Sequence, residues 1–242
     1  MKTYLLLFSF LLLLNCRNVE SNSIESSSNT TESTSNSAVE NQKDSLKIQT
    51  YKFEEINNSG ILIFPLEMAE SDNKRKTDYK DVGNFGHWNM VFYNTHTKNY
   101  HLLSEQKMII ERYFTPELDK SKKEEQLPFL FFEIKVDDYN QDKLLDLKDP
   151  TYLFVTDLEG KNLKQISPKN MDLTKWNYIS SSKQFLISSK VDSDKNKKFD
   201  HYDEIRTYLV PIDSLESPKE IFSEEFKTEL KELFKRDWKK IK

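Results

Sequence analysis

Between residues 46 and 223 the chain repeats a four-strand phrase three times, and no other feature limits its fold as much. Strand-like runs rich in aromatic and β-branched residues alternate with clusters of Asn, Asp, Ser and Lys. Residues 90–94, a turn at 95–98 and residues 99–103 read as a hairpin. Residues 153–157, 158–161 and 162–166 read the same way. Asn94 answers to Asp157, Lys98 to Lys161, Asn99 to Asn162 and Ser104 to Ser167. A looser third copy runs over 207–223. An apolar strand precedes each hairpin, at 61–68, 129–136 and 185–190, and a further strand precedes each of those, at 46–53, 107–114 and 176–180. The units therefore lie near 46–104, 106–167 and 174–223. This predicts an all-β domain of three four-stranded antiparallel units, followed by one C-terminal amphipathic helix.

Two of the connections carry a second repeat. Asp138-x-Asn140-x-Asp142-x-x-x-Asp146-x-x-Asp149 joins the second and third strands of unit two. Asp192-x-Asp194-x-Asn196-x-x-x-Asp200-x-x-Asp203 joins those of unit three. Both put carboxylates or amides at loop positions 1, 3, 5, 9 and 12. These are the side-chain ligand positions of an EF-hand-type calcium loop, and calcium is a hard cation that takes six to eight oxygens. Position 8 is apolar in both loops, Leu145 and Phe199, and is expected to anchor each loop on the core. Position 6 is Lys143 or Lys197, where glycine is usual at the sharp turn. Position 12 is Asp, with shorter bidentate reach than Glu. Both departures point to weak binding, roughly 10⁻⁴–10⁻³ M as in extracellular calcium modules. The other reading of these loops is hydrophilic β-turns, which also favour Asp and Asn. In unit one the same connection, 69–88, is longer, with Lys74, Arg75 and Lys76 and no ligand pattern.

The unit period, roughly 50–60 residues with four strands each, is that of propeller blades. Tyr152-Leu-Phe-Val-Thr-Asp157, the Gly-containing turn through Gly160, Ile166-Ser167-Pro168 and then 176–192 resemble a blade of the TolB-type β-propeller family. In that family a strand ends in Asp, a Gly turn follows, a strand closes on Leu-Thr-Pro, and an aromatic opens the next blade. The resemblance covers about 60 residues and is weak elsewhere. Ser181-Ser182-Lys183 stands where the family has Pro-Asp-Gly. Three blades are too few to close a ring, so the resemblance implies a partial or open propeller, or assembly of several chains. It also implies a binding scaffold rather than an enzyme.

The ends of the chain read differently. Residues 1–16 have the pattern of a secretion signal: Lys2, then an apolar run at 4–14 that is too short to span a bilayer. The run ends at Leu13-Leu14-Asn15-Cys16, similar to a bacterial lipobox with Asn15 in place of the usual small residue. Cys16 is the only cysteine, so a disulfide, a zinc–thiolate cluster and a cysteine nucleophile are excluded within one copy. It is the expected lipidation site; an ordinary signal peptide cut nearby is the alternative. Residues 17–45 are rich in Ser, Asn, Thr and Glu and lack the apolar side chains to offset ordering entropy. They read as a disordered tether. At 224–242, Phe226, Leu230, Leu233, Phe234, Trp238 and Ile241 form one helical stripe, with Ser223 as N-cap. The stripe is expected to pack on the β domain, burying Leu230, Phe234 and Trp238; lying on a membrane is the alternative.

A net charge of −4 argues against nucleic acid as a partner. Of the four histidines, His96 and His101 share one hairpin and His201 lies inside the second acidic loop. No nucleophile elbow, Walker loop or His-Glu-x-x-His motif occurs. The expectation is a lipid-anchored lipoprotein of the bacterial envelope, at the outer membrane, acting as a calcium-stabilised binding or scaffold module for a protein or glycan partner. A periplasmic hydrolase using a carboxylate pair is the alternative from a different class.

Overall fold

The computed structural model describes residues 50, 52–67, 86–115, 127–215 and 217–238. The signal segment with Cys16, the tether, and most of the connection after unit one's second strand lie outside the described residues. The described residues belong to a single compact unit, Leu46–Lys242.

The fold is mostly β, with one C-terminal helix. Unit one contributes β1 (Glu54–Glu55), β2 (Ile61–Glu67), β3 (His87–Asn94) and β4 (Tyr100–Leu102). Unit two contributes β5 (Ile109–Phe114), β6 (Leu130–Lys135), β7 (Tyr152–Thr156) and β8 (Lys164–Gln165). Unit three contributes β9 (Met171–Ile179), β10 (Gln184–Val191), β11 (Glu204–Pro211) and β12 (Lys219–Glu220), and α1 (Glu224–Trp238) follows. Within each unit successive strands pair antiparallel. β6 meets β7 from Leu130↔Thr156 to Ile134↔Tyr152, across the first acidic loop. β10 meets β11 from Gln184↔Pro211 to Val191↔Glu204, across the second. Strands, not helices, flank both loops.

Three separate blades are not what forms, and no closed or propeller sheet is present among the described residues. Units one and two are fused into one eight-stranded sheet, while unit three makes a four-stranded sheet of its own. The cause is the length of β4. It covers only Val91–Tyr93 of β3 and leaves the other end of that edge open. β5 pairs there, at His87↔Ile110; an unpaired strand edge is a template for any neighbour in reach. Two further expectations shift. β1 lies at Glu54–Glu55, most of the expected 46–53 lying outside the described residues, and β9 begins at Met171 rather than Trp176. β1 is a two-residue exposed edge strand, and β9 is an edge strand with no fully buried residue, although Leu173, Trp176 and Tyr178 pack on the second core.

β6 carries the packing. All six of its residues are buried. Leu130, Phe132 and Ile134 join Ile56, Ile63, Met90 and Phe92 in one core. Phe131, on the opposite face, joins Phe185, Ile187 and Val210 of unit three in another. A strand covered on both faces reads as a continuous apolar run instead of an alternating one. Glu133 lies in this run with its charge paired. It accepts from the Arg112 guanidinium at 2.5 Å and from Trp176 Nε1 of β9 at 3.0 Å, joining the two sheets. Beyond β7, the Gly160 turn lies on Phe92. At φ 78° a Cβ there would stand 2.4 Å from the Phe92 ring, so only glycine fits.

α1 corrects the expectation for its stripe. None of its residues is buried, and Leu230, Phe234 and Trp238 are 47%, 63% and 75% exposed. The helix meets unit three through charges instead. Lys227 pairs with Glu220 at 2.6 Å, Arg206 with Glu224 at 3.6 Å, and Lys231 with Glu204 at 3.7 Å. These pairs hold the helix beside unit three, and Leu230 and Phe234 face an open groove against it without being buried. Ser223 caps the helix as expected, accepting the Phe226 N–H at 3.2 Å.

Candidate metal centre

Both acidic loops leave a strand and must return in twelve residues, and their side chains organise that return in one way. The position 1 carboxylate accepts the backbone N–H groups of positions 5 and 6. Asp138 takes those of Asp142 and Lys143 at 3.1 and 2.8 Å, and Asp192 takes those of Asn196 and Lys197, both at 3.0 Å. Position 3, Asn140 or Asp194, accepts from position 5 at 2.8 or 3.0 Å. Position 5, Asp142 or Asn196, accepts from Leu144 or Lys198 at 2.9 or 2.8 Å. Position 9, Asp146 or Asp200, accepts from Lys148 or Tyr202, both at 2.8 Å. Position 12 ties the loop shut. Asp149 holds Tyr139 and Asp146, both at 2.9 Å, and Asp203 holds Ser193 and Asp200 at 2.8 and 2.9 Å.

The backbone repeats as well. Positions 4 and 6 are left-handed in both loops: Gln141 and Lys143 at φ 62° and 72°, Lys195 and Lys197 at φ 60° and 61°. The sharp turn forms without glycine, held by the ring of acceptors inside it.

These bonds draw side-chain oxygens inward. In the second loop Asp192, Asp194 and Asp203 each place an oxygen within 4.8 Å of the others. Such an all-oxygen donor set suits a hard divalent cation, and a carboxylate oxygen accepting one N–H retains a lone pair for a metal. In the first loop Asn140 stands where Asp194 stands in the second. The remaining sequence candidates, Asp200 and Asn196 in one loop and Asp142 and Asp146 in the other, are fixed by the turn bonds above. Asp146 also meets Lys148 Nζ at 3.3 Å. Cys16 lies outside the described residues.

The two loops differ in depth. Asp146 and Asp149 are buried, and Leu145 is buried against Ile109, which realises the position 8 anchor. Phe199 is only half-buried and packs, tilted, against Tyr139 of the other loop, ring centroids 4.9 Å apart. Burial raises the Asp149 carboxyl above the ordinary carboxylate range, against the pull of the Asp146 and Tyr139 N–H groups. The half-buried Asp203 goes the other way, lowered by the N–H groups of Asp200 and Ser193.

Sequence reasoning missed the residues that join and support the loops. Tyr139, at position 2, donates its hydroxyl to Asp192 at 3.0 Å, and Lys197 donates to Gln141, so the loops lie side by side. Burial and then the Asp192 hydrogen bond raise the Tyr139 phenol. Beneath loop one, the buried Lys135 donates to the Asp149 carbonyl at 2.6 Å and to Thr151 Oγ1 at 2.8 Å, with Glu111 at 3.5 Å. The available signal was a lysine closing the apolar run of β6, where a solvated face was not on offer.

His101 and His201 have defined ring contacts. His101 Nε2 lies 3.0 Å from the Glu159 carbonyl and its ring stacks on Phe92. His201 packs, tilted, against Tyr202, at 3.8 Å between centroids. No helix among the described residues is long and apolar enough to cross a membrane. Comparison with protein-family models, with curated proteins and with solved structures found no match.

Proposed function

We propose that this is a lipid-anchored lipoprotein of the bacterial envelope whose β domain is a calcium-stabilised binding or scaffold module. The carrying observation is the oxygen triad of Asp192, Asp194 and Asp203 in a loop whose hydrogen bonds recur, position for position, in a second loop beside it. Turns that served only to reverse the chain would have no reason to share all five acceptor positions. Loop two is the stronger calcium site on this reading, because loop one already carries the Lys135 and Lys148 ammonium groups. Bound calcium would tie each loop across its twelve residues and stiffen two neighbouring sheet ends, which suits a module that presents a fixed surface. The three meanders, joined through cores on both faces of β6, are read as blade-like units in series, in keeping with the TolB-type resemblance.

Two experiments test the proposal. Millimolar calcium is expected to raise the melting temperature of the 46–242 domain, because a ligand bound only by the folded state stabilises it by mass action. Magnesium, which demands tighter octahedral geometry, is expected to raise it less. An equal or absent response to calcium would leave the loops as turns. Separately, Cys16→Ser is expected to move the full-length protein from the membrane to the soluble fraction. Unchanged partitioning would remove the anchor.

A further inference from the structure

One row of large apolar side chains runs the length of α1 and begins ahead of it. Phe222, Phe226, Leu230, Phe234 and Trp238 follow one another at steps of four, which on a helix makes a single ridge. Phe222 precedes the helix, yet its ring lies 5.6 Å from that of Phe226 and continues the row. All five are exposed, Phe222 at 44%, with exposure rising from 41% at Phe226 to 75% at Trp238. Beside the ridge runs a groove of about 420 Å³ against unit three. Its apolar lining is made by Phe222, Leu230 and Phe234 together with Ile205 of β11. The face thus carries a ridge and a slot side by side.

We propose that this face is the interface of a homodimer, in which the α1 helices of two copies pack antiparallel about a two-fold axis at Leu230. Two observations select a second copy. The first is area. Phe and Trp side chains carry roughly 150–250 Å² each, so four rings at these exposures present about 450 Å². The half-exposed Leu230 and Ile205 take the patch past the apolar share of a standard homodimer interface, about 65% of about 800 Å² per partner. The second is symmetry. An isologous interface must be complementary to itself. A row spaced by four and centred on Leu230 meets that demand, since reversal sets Phe222 opposite the partner's Trp238 and Phe226 opposite the partner's Phe234. Trp238, the most exposed ring of the row, then enters the partner's groove at the end that Phe222 lines. The same reversal sets the acidic first turn, Glu224 and Glu225, beside the partner's last turn with Lys235, and opposes the two helix dipoles. The proposal depends on neither calcium nor Cys16.

The test is sedimentation equilibrium of the full chain, joined to cysteine cross-linking that reads the register. Both use the Cys16→Ser protein as parent, so that each introduced cysteine is the only one. The parent is expected to dimerise within concentrations of up to about 100 μM. Leu230→Glu sets two charges together on the axis and is expected to weaken the dimer by roughly thirtyfold or more, with an unchanged circular dichroism spectrum. Leu230→Cys is expected to form a disulfide between copies under mild oxidation. So is a mixture of Phe226→Cys with Phe234→Cys, whereas Phe226→Cys alone holds its two sulfurs too far apart. A parent that stays monomeric would overturn the proposal, and a dimer that Leu230→Glu leaves intact would place the interface elsewhere. Failure of Leu230→Cys to cross-link, or cross-linking of Phe226→Cys with itself, would contradict the antiparallel pair. A monomeric parent that binds phosphatidylglycerol vesicles, with binding lost in Leu230→Glu, would assign the face to lipid instead.

Discussion

At Lys143 and Lys197 the backbone turns left-handed without glycine, which costs roughly 1–2 kcal/mol per residue with an ordinary side chain. The surrounding acceptors enforce it, since each lysine N–H is aimed at the position 1 carboxylate. A stiffer side chain at this φ should therefore show the strain. Lys197→Val is expected to fall below Lys197→Gly by about 1–2 kcal/mol in denaturant unfolding, and equal stabilities would mean that the turn is not left-handed. A second expectation concerns Asp172, which accepts the Thr151 N–H at 2.9 Å. Burial raises its carboxyl above the ordinary 3.8, against the lowering effects of that N–H and of Lys135 and Lys190. The folded state thus holds this proton more tightly than the unfolded state does. The resulting stability is present in full below pH 3.8 and is lost as pH rises through the higher folded value. Asp172→Asn keeps the acceptor and has no proton to lose. Its stability from pH 3 to 7 should lack the decline attributable to this group, and a profile parallel to the parent's would contradict the assignment.

At the scale of elements, the seam between the two sheets rests on Glu133. Trp176→Phe removes the 3.0 Å Nε1 bond and leaves one buried carboxylate oxygen without that donor. A loss of about 1–3 kcal/mol is expected in denaturant unfolding, and a loss below about 0.5 kcal/mol would show that the seam is apolar contact alone. The strand pairs were legible in the sequence because the hairpins repeat, with Asn94 and Asp157 opening the turns. The turns themselves differ in detail, with the left-handed residue at Lys98 in one and at Gly160 and Asn162 in the other. The acidic loops were legible because spacing alone fixes which oxygens can converge. Three things were not. The fusion of units one and two follows from how little of β3 is covered by β4, and strand ends are poorly marked by residue type. The role of Lys135 needed a partner fourteen residues away in Asp149. The orientation of α1 turned on three ion pairs with unit three, which periodicity cannot see, because the stripe predicts an apolar face and not what covers it.

At the scale of the whole molecule, the acidic loops lie at the ends of β6–β7 and β10–β11, strands that also supply both cores. Tyr139 and Phe199 join the two loops across the gap between the sheets. Metal in either loop would thus act on the joint between units two and three. The central claim is that these are two calcium sites of one design. It is tested most directly by counting the ions bound per chain, using equilibrium dialysis of radioactive calcium at millimolar free concentration. The parent is expected to bind two, with the tighter one lost in Asp192→Ala, the weaker one lost in Asp138→Ala, and both lost in the double variant. A parent that binds none, or a double variant that binds as the parent does, would contradict it.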